Sequence, residues 1–302
     1  MNSINSEKRN SVGVWICIGA YFIWGILPIY WILLESLSAP DILCYRFIWT
    51  VGFLIVLFAV KKDWRRNFYA EARAIFSKPR QVLYLISASL LLASNWLTFI
   101  WVVMVGRTSE ASLGYFINPL FNILLAYIFL KERLSKTGIA ACLFALVGVA
   151  VITIHEGALP WPSLVLAGTF GIYGLFKKKL TLKAYTSLSL EMLPMLPFTF
   201  IYLFFFSSAG FMGNGLWVDL TAVGCGILTA VPLLLFGEAA RRISYISIGF
   251  IQYLCPTMYL VIAIFIFHEP LSMFRLLGFI FIWVGVIVFT AGAVAENRTH
   301  KV

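Results

Sequence analysis

Leu130-Lys131-Glu132-Arg133-Leu134 and Phe267-His268-Glu269-Pro270-Leu271 stand 137 residues apart, and that offset decides the fold. The same offset carries Pro119 onto Pro256 and Gly148 onto Gly285. Each of these glycines lies between valines, in Val147-Gly148-Val149 and Val284-Gly285-Val286. Coincidence does not sustain one spacing over that length, so the chain reads as a duplication. A second match pairs Trp24-Gly25 with Tyr173-Gly174 at an offset of 149, which places the extra length in a longer connection within the first copy.

Working outward, the duplicated unit is a set of apolar segments. They fall near 13–34, 41–60, 81–105, 110–130, 137–154, 159–176, 185–207, 218–238, 244–267 and 274–294. A helix rising 1.5 Å per residue needs about 20 residues to cross a hydrocarbon layer of about 30 Å. These runs lack the alternation of barrel strands and are about twice too long for them. The expected fold is therefore an all-α integral membrane protein of ten transmembrane helices. Residues 12–156 form one five-helix repeat and 157–294 the other, with tails at 1–11 and 295–302. Because five is odd, the second copy starts on the opposite side of the membrane, so the repeats are expected to be inverted.

Composition agrees with lipid as the solvent. Of 302 residues, 61% are hydrophobic and 12% charged, against roughly 25% charged in an average soluble domain. The uncharged stretch Ser11 to Leu34 exceeds the 7–15 residues of a signal-peptide core, so it reads as a retained first helix. The net charge of +10 is not a nucleic-acid footprint, because the basic residues sit in short clusters between apolar runs. With the N-terminus inside, 20 of the 23 Lys and Arg fall on the cytoplasmic side; Arg46, Arg107 and Arg275 are the others. The positive-inside rule then places both termini in the cytoplasm. The basic connection 61–80 carries Trp64, Phe68, Tyr69 and Phe76 among its charges. It suits either the anionic inner leaflet or a solvated connector.

Particular residues resemble a known family. They are Trp24-Gly25 with Pro28 and Tyr30, the Asp41 to Arg46 stretch, Asn95-Trp96, and Ser112-Leu113-Gly114-Tyr115-Phe116-Ile117-Asn118-Pro119-Leu120. Tyr173-Gly174-Leu175 followed by lysines adds to them. Together they are similar to the RarD branch of the EamA family, in the drug/metabolite transporter superfamily, over about 12–294. The resemblance implies transport of poorly defined substrates, in a branch described as chloramphenicol-sensitivity proteins. Lys177-Lys178-Lys179 is a small departure, because the family often has an arginine there.

Charges inside a membrane are costly and invite a role. Glu191 lies about seven residues into the seventh segment, ahead of Pro194 and Pro197, which are expected to kink the helix. It reads as a proton-coupling carboxyl or as a structural carboxyl paired with a basic group. Arg46, in the repeat-related second segment, suits a substrate carboxylate, a pair with Glu191, or snorkelling to the interface. Tyr115, Asn118 and Asn122 share one helical face, and Gln252, Cys255 and Tyr259 are their second-copy equivalents. These stripes read as a cavity lining or as interhelical hydrogen bonds, with Pro119 and Pro256 expected to interrupt their helices. Asn95, Trp96, Trp24 and Tyr173 complete the expected substrate-binding set, with Tyr21 beside them. Glu238 is expected to pair with Arg241 or Arg242, and Glu132 and Glu269, which end the fourth and ninth segments, suit gating or anchoring or an interfacial structural role.

The five cysteines lie inside apolar runs without CxxC spacing and read as packing residues. His155-Glu156 and His268-Glu269 do not extend to a zinc motif. There is no Walker loop and no Gly-x-Ser-x-Gly elbow. No metal, cofactor or enzymatic activity is expected. The function expected is a secondary active transporter, an exporter of a small metabolite or drug, in a bacterial inner membrane, working by alternating access with the proton as candidate coupling ion. Its partners are the solute and membrane lipid, not nucleic acid, and it is a monomer or homodimer. The alternatives are a non-transporting membrane protein and a lipid-modifying membrane enzyme.

Overall fold

The structure, a computed structural model, describes residues 2–104, 108–157, 161–207, 211–266, 268 and 272–299. Among these residues there is no β-strand. The helices are α1 (Asn2–Ile32), α2 (Ala39–Val60), α3 (Lys62–Phe76), α4 (Pro79–Met104), α5 (Thr108–Phe129), α6 (Lys136–Glu156) and α7 (Trp161–Lys179). They continue as α8 (Ala184–Met192), α9 (Leu196–Phe205), α10 (Leu216–Ala240), α11 (Tyr245–Gln252), α12 (Leu254–Phe265) and α13 (Met273–Thr299). Among the described residues eight stretches are long and apolar enough to cross a membrane: one each in α1, α2, α4, α6, α10 and α13, and the continuous runs Ala184–Phe205 and Tyr245–Ile262. The two remaining expected segments are α5, whose apolar part is Leu113–Phe129, and α7, whose last turn holds three lysines.

Local chemistry sets the helix ends. Ser38 accepts from Asp41 N at 3.3 Å and starts α2, with Pro40 in its first turn. Ser135 and Ser244 do the same for α6 and α11, at 3.2 and 3.0 Å. Such caps satisfy the free N–H groups of a first turn. Gly157 ends α6 in the left-handed region at φ 88°. As expected, Pro194 breaks the seventh segment: a 3-10 turn at Leu193–Met195 separates α8 from α9. The two repeat-related prolines behave differently. The break between α11 and α12 falls at Tyr253, three residues before Pro256, whereas α5 runs through Pro119 unbroken.

Contacts at the two ends of the bundle fix how the helices run. At one end of the bundle the Tyr30 hydroxyl donates to the Thr221 carbonyl, the Trp101 and Trp161 rings lie 5.3 Å apart, and the Tyr45 hydroxyl accepts from Met212 N at 3.0 Å. At the other end Gln81 donates to the Lys179 carbonyl at 3.3 Å and Lys178 donates to the carbonyls of Ala240 and Ile243. Glu132 accepts there from Tyr245 N and Ile246 N at 2.9 and 3.0 Å, a carboxylate on the N-terminus of α11. This second end carries the Lys and Arg clusters and is the basic end.

The most extensive helix pair is α6 with α13. Gly148 faces the Gly278 carbonyl, and a Cβ there would sit 2.5 Å from it; Gly285 faces the Ala141 carbonyl in the same way, at 2.7 Å. Elsewhere Gly226 of α10 lies against the Trp49 main chain of α2. Without water between them, membrane helices gain from close approach and from hydrogen bonds, and small residues permit both. Large apolar side chains such as Trp15, Phe198, Phe205, Leu143 and Ile154 are exposed around the bundle. Patches of that kind suit lipid rather than water.

The connection 61–80 folds as α3. Its Trp64 ring stacks on Tyr185 at 4.3 Å, Phe68 packs on Phe58, and Glu71 accepts from Lys183 N at 3.1 Å.

Candidate functional site

A cavity of about 340 Å³ lies inside the bundle, in the half farther from the basic end. It is lined from α1, α2, α4, α5, α7, α10, α11 and α12, so no single helix builds it. The walls are chiefly aromatic. The Tyr21 and Trp24 centroids are 5.3 Å apart, Trp24 meets Phe170 edge-on at 5.8 Å, and Tyr115 meets Tyr259 at 5.7 Å. Such geometries suit the ring quadrupoles.

One cation enters this apolar space. Arg46 donates from Nε to Thr229 Oγ1 at 3.2 Å. Its guanidinium lies 4.0 Å from the Trp96 ring centroid and 5.5 Å from that of Trp31. Arg46 has no carboxylate partner among the described residues. Asn95 is tied down, donating to Leu166 O and Thr169 Oγ1, both at 2.9 Å. Asn118 is buried, lines the cavity, and its Oδ1 has no hydrogen-bond partner.

The floor is polar and leads toward the basic end. Gln252 lines the cavity and accepts from Asn122 Nδ2 at 2.5 Å. The Tyr245 hydroxyl lies 3.1 Å from Asn122 Oδ1 and 2.7 Å from the Gly171 carbonyl, and its single proton serves one of them. Farther down, Lys177 and Glu191 form an ion pair at 2.9 Å, with side chains 2% and 0% exposed. Ser187 donates to Glu191 Oε1 and accepts from Lys177 Nζ at 3.0 Å, and the Tyr173 hydroxyl donates to Glu191 Oε2 at 3.2 Å. Both carboxylate oxygens are thus satisfied, which a buried charge requires. Ser89 ties the Glu191 carbonyl to α4 at 2.8 Å.

Of the residues singled out from the sequence, Trp24, Arg46, Asn95, Trp96, Tyr115, Asn118 and Gln252 line the cavity. Asn122 and Tyr173 do not; they stand behind it, Asn122 through Gln252 and Tyr173 through the neighbouring Phe170 ring at 5.7 Å. Arg46 does not pair with Glu191. The carboxylate takes Lys177 instead, because α7 runs past the expected end of its segment and carries Lys177 inward. Glu238 pairs with Arg242 at 2.6 Å, and Glu132 lies 3.8 Å from Lys178. Glu269 and Arg107 lie outside the described residues.

The sequence reading missed Lys177, Thr229, Trp31 and Phe170. Spacing held a clue to the first. Tyr173 and Lys177 are four apart, as are Ser187 and Glu191, so each helix offers a polar pair on one face. Trp31 and Phe170 had no such mark in a chain with 17% aromatic residues.

The EamA-like transporter family matches residues 11–154. An uncharacterized transporter of Bacillus subtilis, YojE, is 38% identical over 285 residues, covering 93% of this chain and 94% of that protein. Protein RarD of Escherichia coli is 38% identical over 298 residues, covering 97% and 99%. A crystal structure of another protein superposes with a TM-score of 0.72 over 95% of this chain and 99% of that one, at 14% identity, which is a likeness of fold. A multi-pass helical bundle that matches transporters along nearly its whole length belongs to the EamA-like transporter family, as a RarD-type member.

Proposed function

We propose that this chain is a secondary active transporter that moves a small solute across a bacterial cytoplasmic membrane by alternating access, and that the aromatic cavity is its substrate site. The observation that carries the reading is the cavity itself: enclosed by eight helices, entered by one cation, and closed toward the basic end by buried polar pairs. Small-molecule sites have this character, apolar walls with few placed polar groups.

In this reading ten helices span the membrane as two inverted repeats, 12–156 and 157–294. Two pairs of contacts support a twofold relation. The offset of 137 carries Tyr115 onto Gln252 and Asn122 onto Tyr259; Tyr115 touches Tyr259, and Gln252 bonds Asn122. It also carries Ala141 onto Gly278 and Gly148 onto Gly285; Gly148 meets Gly278, and Gly285 meets Ala141. Exchange of partners of this kind is what a twofold axis produces. Lys131 and His268, equivalent by the same offset, both adopt left-handed backbone, at φ 55° and 53°. Inverted halves of this kind exchange conformations, which turns one face open and the other closed.

The basic end faces the cytoplasm under the positive-inside rule, with both termini there. The described conformation is then outward-facing, and Lys177–Glu191 and Gln252–Asn122–Tyr245 form the closed inner barrier. Opening inward must separate the groups around Glu191, and a proton taken up there is the coupling step we propose. Export is the proposed direction. The helix α3, with Lys62, Arg65, Arg66 and Arg73, lies along the anionic inner leaflet.

The test is flux of candidate metabolites, amino acids and amphenicol drugs in vesicles holding the purified protein, with and without a pH gradient. Solute movement that follows the gradient is expected. Absence of any protein-dependent flux favours a non-transporting membrane protein or a lipid-modifying enzyme instead. Single cysteines placed at Lys131 and His268 should react with impermeant reagent from opposite sides; reaction from the same side overturns the inverted repeat.

A further inference from the structure

We infer that the solute held in this cavity carries a carboxylate on an aromatic or flat apolar body, with Arg46 as the group that binds the carboxylate. The inference rests on the reading of the cavity as the substrate site and specifies the class of molecule it takes.

The argument starts from charge. A cation in the membrane interior is costly unless something answers it. A guanidinium has five N–H donors, and Thr229 takes one of them. None of the buried acids pairs with Arg46. Asp41 accepts from Ser38 through Oδ2, its Oδ1 is without a hydrogen-bond partner, and it does not line the cavity; Asp219 accepts from Asn214, and Glu191 holds Lys177. Glu132 caps α11 beside Lys178. The cavity therefore holds one positive charge and no negative one among the described residues. The ligand that completes it brings an anionic group, and a planar carboxylate matches the guanidinium fork with two parallel hydrogen bonds.

Shape sets the rest of the molecule. Trp96 lies under the guanidinium, and it leaves the edge donors free while fixing the plane. Trp24, Phe170, Tyr115 and Tyr259 present ring surfaces that suit a flat apolar body. At about 340 Å³ the space is at the small end of ligand pockets. Phosphate groups and dicarboxylates fit less well, since the cavity holds no second cation among the described residues.

The experiment is equilibrium binding to the purified full-length protein in detergent, using phenylacetate, phenylalanine and octanoate, with phenylacetamide as the uncharged match. At least one carboxylate is expected to bind tenfold to a hundredfold more tightly than the amide, about what a hydrogen bond to a charged group contributes. Arg46→Gln should remove that preference, and Arg46→Lys should restore part of it. Phenylalanine and phenylacetate carry the same carboxylate on the same ring, and either order of preference between them keeps the inference. Equal binding of acid and amide to the unaltered protein overturns it, as does failure of all three acids to bind. This comparison needs no variant, so it stands even if Arg46→Gln fails to fold. Flux in vesicles is measured alongside. Carboxylate binding without flux keeps the inference and removes the transporter reading; flux of an uncharged solute without carboxylate binding does the opposite.

Discussion

The two halves of this bundle treat an intramembrane charge in opposite ways. Toward the basic end, Glu191 is fully buried, paired with Lys177 at 2.9 Å, and surrounded by Ser187 and Tyr173. In the other half, Arg46 has one hydrogen bond to Thr229, two tryptophan faces, and no carboxylate partner among the described residues. The cost of a charge in lipid is the same kind of cost at both positions. One site meets it inside the protein and is thereby closed. The other, in the function proposed above, leaves it to be met by the solute. In that proposal the ion pair marks the barrier, and Arg46 marks the cavity that it lines.

The largest effect should come from splitting the ion pair. Lys177→Met leaves Glu191 buried without its partner and should destabilise the protein by about 3–5 kcal/mol. Denaturant unfolding in detergent measures this, and adding Glu191→Leu should restore most of the loss. If Lys177→Met alone is neutral, the pair is not the closure of that half. Glu191→Gln keeps the shape but leaves Lys177 buried without its carboxylate, and should also cost about 3–5 kcal/mol. In vesicles it should abolish dependence of flux on the pH gradient; gradient-driven transport that survives removes Glu191 from the coupling step. Asn122→Ala frees Gln252 and Tyr245 beneath the cavity floor and should cost about 1 kcal/mol. It should weaken the barrier between the two regions, read as faster leak of solute from loaded vesicles. The smallest change in stability belongs to Arg46→Gln. Its removal forfeits one hydrogen bond and its ring contacts and relieves a solitary charge, so the net cost should stay below about 1 kcal/mol. A loss as large as that of Lys177→Met would mean that the two charges are not held in contrasting ways.

Much of this architecture was legible before any coordinates. Hydropathy located the segments because a helix must satisfy its own backbone in lipid and needs a fixed length to cross it. Pro194 announced the break between α8 and α9. Of the stripe Tyr115, Asn118, Asn122 and its counterpart Gln252, Cys255, Tyr259, all but Asn122 line the cavity, since spacing on a helix fixes a shared face. The pair of prolines shows the limit of such reading. Pro256 follows a break and Pro119 does not, although both lack the same N–H. We have no local account of that difference.

By itself, then, the sequence determined that the chain is built of apolar helical segments, at what offset it matches itself, and that Arg46 and Glu191 are charges needing an explanation. Those are properties of period, length and residue type, and they act along one segment at a time. Only the tertiary structure decided that Lys177 turns inward to Glu191, that Thr229 and Trp96 hold Arg46, and that Trp31 and Phe170 line the cavity. Those partners sit on different helices, far apart along the chain, and their meeting depends on how the helices rotate and approach, which no single segment encodes.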